Sequence, residues 1–109
     1  MHELAIAESV VSSVLERIGD RHVSVVRFRI GRLAGVVPEA LKFCFDLATA
    51  GTPLEGASLE LAEEQGRAHC RTRGTDFEMA DPFLLCDCGS ADVALISGRE
   101  LSVTSVDVA

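Results

Sequence analysis

Three cysteines in the second half of the chain offer chemistry most directly. Cys70 precedes Gly74, and Cys86-Asp87-Cys88 precedes Gly89. Zinc takes four ligands in a tetrahedron and favours thiolates at structural sites, so two cysteine-bearing turns facing each other would suit it. Between them lies Asp81-Pro82, a turn signal. The match to paired Cys-x-x-Cys turns is incomplete. Arg73 stands where the second cysteine of the first turn would be, and Cys86-Asp87-Cys88 is one residue short. His69 is the nearest candidate for a fourth zinc ligand, although neighbours on an extended strand face opposite ways and chelate together only across a turn. Asp76, Asp87 or a water are alternatives. Arg73 cannot ligate, because its guanidinium stays protonated. Beside thiolates it lowers their pKa, and it repels a cation. The competing reading makes Cys86 and Cys88 plain exposed or redox-active thiols. Cys44, between Phe43 and Phe45 on the apolar face of a helical stretch, reads as a small core hydrophobe.

The second candidate is Met1-His2-Glu3. An α-amine, a backbone amide and the His2 imidazole form fused chelate rings around one metal, a nitrogen set that suits square-planar Ni(II) or Cu(II). The bulky His2 is expected to leave Met1 in place, so the amine is that of Met1. The Glu3 amide or carboxylate is a candidate fourth donor. The alternative is a frayed, solvated terminus, since any chain beginning Met-His presents the same groups.

These groups need elements to hold them. Leu4, Ala7, Val11, Val14, Leu15 and Ile18 recur at helical spacing and predict an amphipathic helix closed by Gly19. Val23 to Ile30 is β-branched, with Val26, Phe28 and Ile30 opposite Arg27 and Arg29, and predicts a half-buried strand. Pro38 at a first helical position and Gly51 beyond the end bracket a second helix, with Leu41, Cys44, Phe45 and Ala48 on its apolar face. Ala57, Leu59 and Leu61 alternate with polar residues and predict a second strand. Leu101 and Val103 begin a third, and Val106 and Val108 fall out of phase, which implies a bulge near Ser105. From Gly66 to about Gly89 apolar residues are too sparse to fold by burial alone. The expected fold is α+β, with two helices on a small three-stranded sheet and an inserted Cys-rich, zinc-ribbon-like domain. The expected division is 1–65 plus 97–109 for the first part and 66–96 for the insert.

Composition narrows the function. The chain has 109 residues, 48% hydrophobic and 25% charged, which is enough for one modest core. Ten basic residues against 17 acidic ones give a net charge of −7. That disfavours nucleic-acid backbones and anionic membranes. No apolar run reaches the ~20 residues of a membrane helix, and the start is not that of a signal peptide, so a cytoplasmic protein is expected. Trp and Tyr are absent, which weakens any base-stacking surface. Gly31-x-x-x-Gly35 lacks the Gly-Lys-Ser/Thr ending of a phosphate loop. A thiol enzyme lacks a Cys-x-x-Cys at a helix start and a His beside a nucleophile. His22 reads as a surface loop residue.

The ordered set of pieces resembles a known family. Met1-His2-Glu3 runs straight into a helix. Gly31 to Gly35 leads into Val36-Val37-Pro38-Glu39-Ala40-Leu41-Lys42-Phe43-Cys44-Phe45, then Thr49-Ala50-Gly51-Thr52. Cys86-Asp87-Cys88-Gly89-Ser90 and Ser97-Gly98-Arg99-Glu100-Leu101 complete the series. Together they resemble the HypA/HybF family of hydrogenase maturation nickel metallochaperones over essentially the whole chain. The resemblance implies a non-enzymatic carrier of Ni(II), with Zn(II) in the insert. It implies delivery to the [NiFe]-hydrogenase large subunit, work with a HypB-type GTPase, and in some organisms service to urease. It implies Met1, His2 and Glu3 as nickel ligands and Cys70, Cys86 and Cys88 as zinc ligands, with Arg73 departing from the family's usual cysteine. A monomer or weak homodimer is expected. The alternative is a zinc-ribbon interaction module without nickel delivery.

Overall fold

The computed structural model describes residues 2–79, 81 and 83–109. The order is α1 (Glu3–Ile18), β1 (Val23–Gly31), α2 (Pro38–Thr49), β2 (Ser58–Glu64), β3 (Gly66–Cys70), β4 (Thr75–Met79), β5 (Val93–Ser97) and β6 (Leu101–Val108). Two three-stranded sheets result. The first has the order β2-β1-β6, with β1 parallel to β2 and antiparallel to β6. A parallel pair requires a crossover, and α2 supplies it. The second sheet, β4-β3-β5, is antiparallel throughout.

Both helices follow their apolar periodicity. Helix α1 buries Ala7, Val10, Val11, Val14 and Ile18, and α2 buries Leu41, Phe45 and Thr49. Leu4, expected on the inner face, is instead 43% exposed, and Val10 contributes to the core in the middle of the helix. Pro38 sits in the first turn of α2, where its missing N–H costs no hydrogen bond. Cys44 is half-buried against the core, and His22 is exposed. The helices and β1 enclose one core, in which Phe45, Ile30, Leu41, Leu54, Val23 and Val26 are fully buried. Each contributes about 1.5–3 kcal/mol relative to exposure.

Strand β6 carries the expected bulge. Arg27 pairs with Ser105 while Phe28 pairs with Val103, leaving Thr104 as the extra residue. On the outer face Arg27 ties the three strands together. It donates to Asp107 in β6 at 2.8 and 3.0 Å and to Glu60 in β2 at 3.2 Å.

The second sheet buries little apolar surface. Ala68, Cys70 and Met79 are its buried apolar residues among those described, joined by Cys86 from the loop before β5. Backbone pairing forms it, and a cross-link would add most stability there.

The sheets meet where the backbone passes too closely for side chains. The Leu33 N–H donates to the Gly98 carbonyl at 2.6 Å, the Gly31 N–H to the Glu100 carbonyl at 2.7 Å, and the Arg32 N–H to the Glu64 carbonyl at 3.0 Å. A Cβ on Gly31 would collide with the Gly98 carbonyl, and a Cβ on Gly66 would lie 2.7 Å from Leu33 Cδ1. Gly98 adopts φ +121°, which side-chain-bearing residues rarely reach.

Candidate functional site

Strand β3 delivers Cys70 at its last residue, and a turn closes behind it. The Gly74 N–H donates to the Cys70 carbonyl at 2.8 Å, with Gly74 at φ +70°. The second turn is built alike: the Gly89 N–H donates to the Cys86 carbonyl at 2.9 Å, and Gly89 has φ +92°. The turns are stitched by Thr72 Oγ1 and Ser90 Oγ at 2.7 Å and by Arg71 Nη1 donating to Asp92 at 2.8 Å. That juxtaposition brings the sulfurs of Cys70, Cys86 and Cys88 within 4.8 Å of one another. Cys70 and Cys86 are buried and Cys88 is exposed.

The donor set fits zinc on three corners. Zn–S bonds of about 2.3 Å at tetrahedral angles place sulfurs about 3.8 Å apart. Cys70 Sγ and Cys88 Sγ are 3.8 Å apart. The Arg73 N–H points at Cys70 Sγ at 3.5 Å and holds that thiol below its ordinary pKa. Cys86 goes the other way. The Cys88 N–H acts to lower it, but burial and the adjacent Cys88, Cys70 and Asp87 together push it up to about 11. Thiols packed this closely do not all ionise without a neighbouring cation.

His69 is not among the grouped ligand atoms. Its Nδ1 pairs with Asp76 at 2.6 Å across the β3–β4 ladder, where the two residues are in register. Asp76, the other donor considered on that strand pair, is thereby engaged. Arg73 is the cation beside the sulfurs. Its guanidinium donates to Asp87 at 3.0 Å and feels the Cys86 and Cys88 sulfurs as well, so its pKa is raised. The Asp87 side chain is 85% exposed and lies 3.4 Å from Cys86 Sγ. The electrostatic role of Arg73 follows from its type. Its engagement with Asp87 does not, because that contact depends on how the two turns face each other.

At the other end, His2 is the exposed N-cap residue of α1, and its side chain makes no cap hydrogen bond. It borders a groove of about 980 Å³ between α1 and β6. Glu3 begins the helix, and its carboxylate accepts the Val37 N–H at 3.2 Å, just before α2. That bond holds the carboxyl below its usual pKa. The first N–H groups of a helix have no intrahelical acceptor, so the Glu3 amide lies outside the helical ladder and faces only its own carboxylate. Met1, expected as a nickel ligand, and Pro82 of the expected turn lie outside the described residues.

Residues 1–108 match the family model described as "Hydrogenase/urease nickel incorporation, metallochaperone, hypA". The chain belongs to the HypA family. Among similar HypA proteins, a hydrogenase maturation factor HypA from Trichormus variabilis is 43% identical over 108 residues, spanning 99% of this chain and 96% of its own. One from Streptomyces avermitilis is 46% identical over 112 residues, spanning 97% and 86%. The solution structure of the Ni metallochaperone HypA from Helicobacter pylori superposes with a TM-score of 0.68 over 99% of this chain and 97% of that one. At 17% identity that likeness speaks for the fold. The α+β HypA architecture with a cysteine cluster is therefore the one expected from sequence. No helix among the described residues is long and apolar enough to cross a membrane.

Proposed function

We propose that this chain carries Ni(II) at its N-terminus and gives it up to the large subunit of a [NiFe]-hydrogenase during maturation. The donors are the Met1 amine, the His2 imidazole and amide, and Glu3. The carrying observation is the exposed His2 at the N-cap, next to a Glu3 whose carboxylate is already bonded to Val37. With the carboxylate engaged, the Glu3 amide becomes the fourth donor. Deprotonated amides suit this place, because a helix N-terminus favours negative charge. Two of them offset the charge of Ni(II), so the helix dipole does not oppose loading. A planar nitrogen set leaves the metal open above and below, so an incoming ligand can attack without prior opening of the protein.

In this reading Cys70, Cys86 and Cys88 hold Zn(II), which fastens the second sheet. Residues 1–65 with 97–109 form the nickel-binding part and 66–96 the zinc-binding insert. The chain acts in the cytoplasm beside a HypB-type GTPase, as a carrier and not as an enzyme. Where urease is present it is a second recipient.

Substituting His2→Ala tests the reading. Tight Ni(II) binding by isothermal titration should be lost while far-ultraviolet circular dichroism stays unchanged, since His2 lies outside the core. Undiminished affinity would leave a zinc-ribbon interaction module as the better account.

A further inference from the structure

The cysteine cluster supplies three sulfur donors, and the turn that carries Cys70 brings the cationic Arg73 next to it. His69 and Asp76 are bonded to each other. Asp87 is held by Arg73 and touches Cys86 Sγ at 3.4 Å, but its carboxylate is not grouped with the three sulfurs. The Arg73 N–H donates to Cys70 Sγ at 3.5 Å, and its guanidinium donates to that Asp87 at 3.0 Å. No described carboxylate, imidazole or further thiol joins the group of three sulfurs.

We propose that Cys70, Cys86 and Cys88 form a three-thiolate metal site whose fourth position this chain leaves to a thiolate from outside, with Arg73 as the residue that holds it there. The inference rests on reading the cluster as a zinc site. Charge makes the case. Zn(II) with three thiolates carries −1, and a fourth thiolate makes it −2. Asp87 takes one N–H of the Arg73 guanidinium and is itself largely exposed, so an incoming anionic sulfur can use the remaining N–H groups or displace Asp87, and the guanidinium then offsets part of the added charge. The residue that cannot act as a fourth ligand thus favours an external one of this class. Exposure of Cys88 leaves that side of the cluster accessible. An incoming thiol enters as thiolate, its proton going to solvent, and no oxidation is involved. A small free thiol and a cysteine of a second copy of this chain share this chemistry.

The test uses Co(II) in place of zinc in the full chain, with 2-mercaptoethanol as the probe. The thiolate-to-cobalt charge-transfer absorption of the wild type should rise saturably by about one third, as three sulfur ligands become four. Arg73→Cys should show the full intensity without added thiol and should not respond to it. Arg73→Ala should respond only at about tenfold higher thiol. Full wild-type intensity without thiol that falls on dilution would identify the sulfur as a cysteine of a second copy. Intensity that follows added thiol at every protein concentration would identify a small thiol. A wild type that binds Co(II) but ignores both thiol and dilution would overturn the open position while leaving the metal site standing. Failure to bind Co(II) at all would overturn both.

Discussion

Replacing Gly31 with alanine should destabilise the protein by about 3–5 kcal/mol. The added Cβ would lie 2.5 Å from the Arg99 nitrogen and deeper still against the Gly98 carbonyl. Ordinary contact requires the β5–β6 connection to retreat by roughly 1 Å, and overpacking of this kind costs about 1–3 kcal/mol. That retreat also stretches the bonds from Gly31 to Glu100 and from Leu33 to Gly98, at 2.7 and 2.6 Å. Each is worth about 1 kcal/mol net. Against a total stability of about 5–15 kcal/mol, the loss is large. At about 4 °C per kcal/mol it lowers Tm by about 12–20 °C. Thermal melts followed by circular dichroism measure it, with Gly35→Ala as the comparison. Gly35 has φ +74° and nothing within 4 Å of its added Cβ, so it carries only the left-handed backbone penalty of about 1–2 kcal/mol. A Gly31→Ala protein within about 1 kcal/mol of wild type would show that the junction yields freely, and would refute this steric reasoning.

Two further outcomes follow from the hydrogen bonding. Arg27 holds the Asp107 carboxyl below its ordinary pKa, so this pair stabilises the fold above the unfolded aspartate value of about 3.9 and is lost as pH falls through the lower folded value. Urea midpoints measured across the acid range should therefore fall less steeply with pH in Asp107→Asn than in wild type, and equal slopes would deny the pair any role. Glu3→Gln should keep Ni(II) affinity within about threefold of wild type, because the amide and not the carboxylate is the donor; a loss beyond tenfold in a titration would reassign the ligand to the side chain.

Much of the first sheet and its helices was legible from side-chain periodicity. Alternation around Arg27 marked β1, the out-of-phase Val106 marked the bulge, and Pro38 with Gly51 bracketed α2. Leu4 misled because a first helical turn can overhang its core. The second sheet was not legible as strands. Gly-Arg-Ala-His-Cys alternates in burial, but its inward residues Gly66, Ala68 and Cys70 are small, and Thr-Asp-Phe-Glu-Met buries only Met79, so neither shows an apolar period of two; the β3–β5 pairing also joins segments distant in sequence. The three cysteines stood out by type alone. The engagement of His69 with Asp76 did not, because it depends on strand register. Nor did the Glu3–Val37 bond, which spans 34 residues and needs both helix starts in place.

Nickel titration of the tag-free chain beside one carrying a single glycine ahead of Met1 shows whether the α-amine holds the metal. The extension moves the α-amine away from His2 and leaves every described residue unchanged. Loss of tight Ni(II) binding, nearly as complete as with His2→Ala, is the result the terminal chelate predicts. Full retention would mean that the amine is not a ligand and that nickel sits elsewhere on the molecule.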